Sequence, residues 1–575
     1  MAGVTAILGL NAFHGDAAAA LVVEGELVAA AEEERFNRVK HVAGFPILAA
    51  EWCLAEAGLQ AEQLDHIAVS RDPRANTGRE LRRTIRDGAS ARYLNARLAH
   101  AAKVRDVKAP LGPDLPAEVH DVEHHKAHVA SAFLVSPFDE AAILSADGSG
   151  DFASTMTAVG AGNSYSVLDR VLFPHSLGMY YAAFTQWLGF PDYGDEGKVM
   201  GLAPYGDAGR HIHHMRDVLQ THGDLFLLDL DYFTHDKEGV DMIWDEGAPR
   251  IERIYSDKVI ETFGLPRAED GELTQHHRDV AAALQLHLEE VYVHLAECLR
   301  NRTGLDNLCL VGGVALNAVA NGRVTLNSGF DRVYVPPAPG DAGTAIGAAL
   351  HVWNQELGNA RGFVMRDAYT GPEYGDDAIA AAVAAHDLTA ERLEDAELYS
   401  AVAGRIAAGD VVGWFQGRME FGPRALGHRS IVADPRREDM RRVLNERIKR
   451  RETFRPFGLS ILAEAAGEWF VHEAPSPFME LVQEIRRERR STIPAVDHVD
   501  HTARVQTVDR DVAPRYYRLI EEFAKQTGVP ILLNTSFNEN EPIVMTPAEA
   551  LDTFQKTRMD MLVLGNYVLR RNASS

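Results

Sequence analysis

The sequence predicts an α/β protein in two parts, the first of them internally duplicated. Three observations carry this. A three-stranded pattern with a polar break after its first strand occurs twice in the N-terminal half. Long helical stretches separate and follow the two copies. Beyond a loop-like region near residues 355–375, strand and helix patterns mix again, so domains are expected at 1–360 and 361–575. A chain of 575 residues is also too long for a single core.

The first copy runs TAILGL, a polar NAFHGD, AAAALVV, a Glu24-Gly25 turn and ELVAAAEEE. The second runs AAILSA, DGSGD, STMTAV, a Gly-Asn-Ser turn and YSVLDRVLF. Between them and the boundary, HRDVAAALQLHLEEVYVHLAECLRNRTG has apolar residues at helical spacing, with Gly304 as its C-cap. NLCLV reads as a buried strand, and GGVALN as the opening of the next helix. In the C-terminal part DVVGWF and PILLNTSF read as strands, and RRERRSTIPAVDHVDHTARVQ as a solvated loop. Two similar halves facing each other resemble the duplicated ribonuclease-H-like fold of actin, Hsp70 proteins and sugar kinases.

Composition narrows the function classes. Three scattered cysteines form no CxxC, which disfavours a disulfide framework or zinc ribbon and suits a reducing, cytoplasmic setting. The N-terminal MAGVTAILGLNAFHGD has no basic region and is not expected to be a signal peptide. No apolar run reaches membrane-spanning length. A net charge of -25 disfavours a nucleic-acid partner and slightly favours a cationic acceptor.

The segment EHHKAH concentrates three of the 24 histidines in six residues. His124 and His128 are four apart, so on a helix both imidazoles share a face. They form half a site for iron, zinc or manganese, or else a chance spacing on an exposed helix. Asp147, after a buried strand in LSADGSGD, and Asp341, in PAPGDAGTAIGAA, are the carboxylates that could complete it. Asp341 could instead cap a helix. Gly312 and Gly313 could let amide groups approach an anion, or simply make a tight turn. Lys198, in DEGKVMGLAPYG, is a phosphate contact or a surface lysine. The C-terminal part gathers Arg418, Arg424, Arg429, Lys449, Arg455 and Arg504 in turn-rich settings, with Asn534, Ser536 and Asn538 in LLNTSFNEN. Arginines beside glycines suit bidentate phosphate binding.

AEEERFNRVKH, HHKAHVASAF, DEGKVMGLAPYG, GGVALN, GDAGTAIGAA, QGRMEFGPRALG, FRPF and LLNTSFN together resemble the antibiotic and nodulation-factor O-carbamoyltransferases, nearly end to end. That family includes the nebramycin, cephamycin and ansamycin carbamoyltransferases. The resemblance implies an N-terminal domain similar to the tRNA threonylcarbamoyladenosine transferase. It implies a C-terminal domain similar to the threonylcarbamoyl-AMP synthase. Carbamoyl phosphate and ATP, the latter with Mg2+, would give carbamoyl adenylate in the C-terminal domain. The carbamoyl group would then pass to a hydroxyl of a natural-product acceptor in the N-terminal domain. The implied metal ligands are His124, His128, Asp147 and Asp341, the metal being iron(II). Gly312, Gly313, Asn317 and Lys198 match the adenylate-binding motifs. Arg418, Lys449, Arg455, Arg504, Ser536 and Asn538 match the carbamoyl phosphate and ATP site. His14 matches the histidine that assists transfer. A homodimer is compatible with the resemblance.

The chain departs from the family pattern at His428 and His501, where smaller residues are expected, and at the HGD of residues 14–16, which is one residue longer. Residues 74–118 and 206–275 are the stretches expected to wall the acceptor pocket. Two other readings stand beside this one: a tRNA threonylcarbamoyl transferase-like enzyme, and an ATPase of the actin-like class without carbamoyl transfer.

Overall fold

The computed structural model describes residues 4–78, 106–240, 242–243 and 250–571. Residues 79–105, 241 and 244–249, within the two stretches expected to wall the acceptor pocket, fall outside the described residues. The chain divides into two compact units, Met1–Met365 and Arg366–Ser575.

The first unit contains one sheet topology twice. β1 (Ala6–Asn11), β2 (Ala18–Val23) and β3 (Glu26–Glu32) form an antiparallel meander. β4 (His66–Val69) and β5 (Glu118–Asp121) add in parallel beside β1, giving the order β3-β2-β1-β4-β5. The turn between β2 and β3 has Glu24 at φ +52° and Gly25 at φ +83°. Two left-handed residues are what a two-residue hairpin with the right twist needs.

β6 (Glu140–Gly150), β7 (Ala153–Ala161) and β8 (Ser164–Leu172) repeat the meander. Two short ribbons follow: β9 (Leu219–His222) with β10 (Leu225–Leu228), and β11 (Met242–Ile243) with β12 (Arg250–Ile251). β13 (Asn307–Val311) and β14 (Arg332–Tyr334) then extend the second sheet in parallel, giving β14-β13-β6-β7-β8. This is the first sheet's order again, and it establishes the duplicated ribonuclease-H-like architecture.

The long helix spans Gln275–Thr303 and ends at Gly304, φ +69°. The glycine pair after β13 opens only a short 3-10 turn, Gly313–Leu316. The α-helix starts at Ala318, capped by Asn317, whose side chain accepts from Ala320 N at 3.0 Å. Hydrogen bonding by a short polar side chain sets this boundary later than the apolar pattern suggests.

One crossing positions the chemistry. β1 buries Leu8 and Leu10 against the helix Ile47–Glu56, while Gly9, on the opposite face, meets the helix Thr344–His351. That second helix is built of small residues, TAIGAALH, and also lies against the helix His124–Phe133. A Cβ at Gly347 would stand 1.8 Å from the Ala127 carbonyl oxygen and 2.8 Å from Ser131 N. Backbone therefore touches backbone, and neither can yield as a side chain would. Gly347→Ala is expected to cost about 3 kcal/mol. Melting of the first unit should fall by roughly 5 °C or more, checked by calorimetry.

The second unit is built on a nine-stranded mixed sheet. Its strands are β15 (Glu391–Arg392), β16 (Val412–Phe415), β17 (Arg429–Ala433), β18 (Gly458–Leu462), β19 (Leu481–Glu484), β20 (Thr502–Val508), β21 (Ile531–Ser536), β22 (Met561–Leu564) and β23 (Tyr567–Arg570). They run in the order β15-β23-β22-β16-β17-β21-β18-β20-β19. The stretch read as a solvated loop is a correction: its end is β20, and Ile493, Ala495 and Val496 within it are buried. Its densest charge lies at the start, in residues 486–490, and the apolar positions behind it pack. No helix among the described residues is long and apolar enough to cross a membrane.

Candidate active site and metal centre

The helix His124–Phe133 is almost entirely buried, and it carries His124 and His128 on one face. Asp147 comes from the bulged end of β6, and Asp341 from the 3-10 turn Asp341–Gly343 before the helix Thr344–His351. One donor atom from each of the four lies within 4.8 Å of the others, and all four residues are buried. His124 Nε2 is 3.2 Å from Asp147 Oδ2, 3.4 Å from Asp341 Oδ1 and 3.1 Å from His128 Nε2. His128 Nε2 is 3.4 Å from Asp341 Oδ1. Asp341 Oδ1 is buried without a hydrogen-bond partner, and Asp341 caps no helix.

Burial and mutual repulsion oppose the charge on Asp147 and Asp341, yet the facing imidazoles hold both well below the usual carboxylate range. Burial and Arg71 push His124 down, but the carboxylates outweigh them and lift it to about 9. Without a cation, His124 supplies the charge that the two acids need.

The glycine pair serves this cluster directly. Gly312 has φ +91°, and a Cβ there would meet Ala146 O at 2.2 Å. The turn brings Gly313 N–H to Asp147 Oδ1 at 2.8 Å. Asn317 lies further along, with its amide donating to Gln285 Oε1 at 2.9 Å. Lys198 is ion-paired to Asp195 at 2.8 Å and stands over the Phe190 ring. His125, the third histidine of the segment, is buried with Nδ1 2.8 Å from Ser145 Oγ, a packing contact.

His14 arrives from the loop after β1. Asn11, fully buried at the end of that strand, donates to Gly15 O and Asp16 O at 2.9 Å each and pins the loop. His14 Nδ1 contacts Asp341 Oδ2. Burial and Arg71 keep the His14 imidazole below its ordinary value despite Asp341, so it is neutral near pH 7. Asp16 turns away from it, its Oδ1 2.7 Å from His41 Nδ1.

In the second unit Lys449 is buried, and its ammonium donates to Ser536 O at 2.6 Å, Ser536 Oγ at 3.2 Å, Asn538 O at 2.8 Å and Asn538 Oδ1 at 2.6 Å. A second group gathers around Arg504 on β20. Burial, Arg424, Arg451 and Arg455 push its guanidinium well down, with Glu480 the opposing charge. Burial raises Glu480 to about 7 even with Arg424 and Arg504 near it. Arg451 is pushed down to about 9 by burial and Arg455. Four guanidinium groups stand against two carboxyls, the reluctant Glu480 and the Glu452 that pairs with Arg455 at 3.7 Å, and the net positive charge is one that an anion would relieve.

Family models match both units: residues 6–350 match the carbamoyltransferase N-terminus, and residues 403–571 the carbamoyltransferase C-terminus. The chain belongs to the carbamoyltransferase family. It is 39% identical to nodulation protein NolNO of Sinorhizobium fredii, over 98% of this chain and 80% of that protein. It is 40% identical to nodulation protein NolO of Bradyrhizobium diazoefficiens, over 79% and 80% respectively. An uncharacterized protein of Synechocystis, sll1178, is 41% identical over 99% of this chain and 97% of its own length. The protein is thus a carbamoyltransferase.

In this carbamoyltransferase the structure brings His14, His124, His128, Asp147 and Asp341 together. In the second unit it brings Lys449 to Ser536 and Asn538, and Arg455 to Arg504. Arg418 is engaged by the chain itself, donating to Gly371 O and Thr370 O. Arg429 is buried over Phe415, donating to the carbonyls of Pro372, Gln416, Gly417 and His428. Asn534 is buried against Ala425 O and Ser460 Oγ. His428 stacks on Tyr369 at 3.6 Å, and exposed His501 pairs with Asp497 at 3.2 Å. Sequence reading missed Arg71, Arg451 and Glu480. Arg71 lies two residues past the end of β4 in VSRDP, and a cation beside a buried strand end was the available signal.

Proposed function

We propose that this carbamoyltransferase is ATP-dependent and works in two stages, carbamoylating a hydroxyl of a small natural-product acceptor. In the second unit, water and carbamoyl phosphate give carbamate and phosphate. Carbamate oxygen then attacks the α-phosphorus of ATP, pyrophosphate leaves, and carbamoyl adenylate forms. In the first unit, the acceptor hydroxyl attacks the carbamoyl carbon, AMP departs with the bonding pair, and His14 takes the hydroxyl proton. The observation that carries the reading is the pairing on one chain of the buried two-histidine, two-aspartate cluster with the arginine cluster around Arg504.

Each unit suits its stage. Lys449, Arg424, Arg451, Arg455 and Arg504 offer fixed positive charge where phosphoryl oxygens gather charge. His14 is neutral near pH 7, and Asp341 fixes its ring through Nδ1, leaving Nε2 to accept a proton. His124, His128, Asp147 and Asp341 fit a divalent metal, which the family resemblance makes iron(II): two imidazole nitrogens and two carboxylate oxygens converge, and Asp341 Oδ1 is buried with no hydrogen bond. When bound, such an ion supplies positive charge for the adenylate phosphate. Arg71, buried beside His14 and His124, is placed to share that task.

The test is mass spectrometry of products from iron-loaded protein given ATP and carbamoyl phosphate, with and without a panel of hydroxylated antibiotics. Carbamoyl adenylate without acceptor, and one added carbamoyl group on an acceptor, are the expected products. ATP consumption indifferent to carbamoyl phosphate would overturn the reading.

A further inference from the structure

A second set of donors lies in the first unit, away from the cluster around His124. His66 opens β4, and Glu118 and His120 lie on the neighbouring edge strand β5. His66 pairs in register with Glu118, and Ala68 with His120, so the three side chains share one face of the sheet. His66 Nδ1 is 2.9 Å from His120 Nε2 and 3.9 Å from Glu118 Oε2. The three donor atoms lie within 4.8 Å of one another. Both imidazoles are largely buried, whereas Glu118 is 70% exposed and able to swing.

The other nitrogen of His120 is also held. His120 Nδ1 is 2.5 Å from Glu356 Oε2, and Glu356 Oε1 is 3.6 Å from His351 Nε2. A carboxylate on the far nitrogen fixes the tautomer and turns Nε2 into a lone-pair donor, the arrangement that backs metal-bound histidines. A hydrogen-bonded imidazole pair alone would not require Glu118 opposite the shared nitrogens.

We propose that His66, His120 and Glu118 form a second metal site, for a borderline divalent cation such as zinc(II), with Glu356 as the positioning residue behind His120. Two nitrogens on a tetrahedral zinc stand about 3.3 Å apart, given Zn–N bonds of about 2.0–2.1 Å. The rings need open by only a few tenths of an ångström from 2.9 Å. The proton between them moves to His66 Nε2, so both facing nitrogens become ligands. Glu118 supplies the third ligand, and water completes the shell.

The site is placed to brace the first one. His120 stands four residues before His124 on the same run of chain, and Glu356 follows the helix that begins next to Asp341.

The test is zinc(II) titration of the full-length chain against a chromophoric chelator, in a His128→Ala background that weakens the first cluster. Adding His120→Ala is expected to remove one equivalent of bound zinc. Adding Glu118→Ala, a change at an exposed residue that should leave folding intact, is expected to weaken that equivalent at least tenfold. Cobalt(II) should give the strong visible bands of a tetrahedral ion in His128→Ala and lose them in the His120→Ala double variant. Equal stoichiometry and equal affinity in His128→Ala and the Glu118→Ala double variant would overturn the proposal. Neither result depends on carbamoyl transfer, so this inference can fail while the proposed function stands, and the reverse.

Discussion

Asp341→Asn is expected to lower carbamoyl transfer roughly 1,000-fold, the middle of the range for loss of a positioned acid–base pair. Asp341 serves two partners at once. Its Oδ1 faces His124 and His128 at 3.4 Å each, and its Oδ2 contacts His14. An asparagine keeps the size and removes the charge. His124 loses the carboxylate that chiefly holds it near 9, and His14 loses the negative charge beside its Nδ1. Metal content should fall with activity. Adenylate formation in the second unit should stay within about twofold, since a change confined to one unit removes none of the other's phosphate contacts. The measurement is a pair of assays: product mass with supplied acceptor, and acceptor-free formation of carbamoyl adenylate. If both assays fell together, the division of labour between the units would be wrong.

Arg504→Met is expected to raise the KM for carbamoyl phosphate roughly 30- to 100-fold, which matches loss of a charge-assisted hydrogen bond of about 2–3 kcal/mol. Stability should move the other way. Arg504 is held in the folded chain against burial and three neighbouring guanidinium groups. A cation whose proton is bound less tightly in the folded state than in the unfolded one weakens folding at neutral pH. Methionine removes that repulsion, so the melting temperature of the second unit should stay level or rise. Inorganic phosphate should stabilise the parent protein through the same charge surplus, and the stabilisation should largely vanish in the variant. Calorimetry with and without phosphate reads both effects.

Local patterning made much of the fold legible. Both meanders announce themselves because hairpins join neighbours in sequence, and their turns have strong residue signatures such as Glu24-Gly25. β4, β5 and β14 were not legible. They are four, four and three residues long, and they pair in parallel with strands that are not hairpin neighbours. Such strands exist only by tertiary pairing, which leaves no local period. At the site, His124 and His128 were readable from helical spacing, and Asp147 and Asp341 as acids at element ends. Arg71, Arg451 and Glu480 are ordinary in sequence and special only through burial and company. The converse holds for Arg418 and Arg429, whose glycine-rich setting suggests phosphate binding while their guanidinium groups satisfy backbone carbonyls.

The two meanders also bear on how such a site could arise. The polar loop after β1 delivers His14, and the bulged end of β6, at the equivalent place in the second copy, delivers Asp147. An ancestral pair of identical halves would have offered the same residue twice, a symmetric pair of bases or of acids. Under the proposed function the two loops have diverged instead, His14 in the first serving proton transfer and Asp147 in the second holding charge. Neither copy could now replace the other, so a point change in either loop should have no backup within the chain.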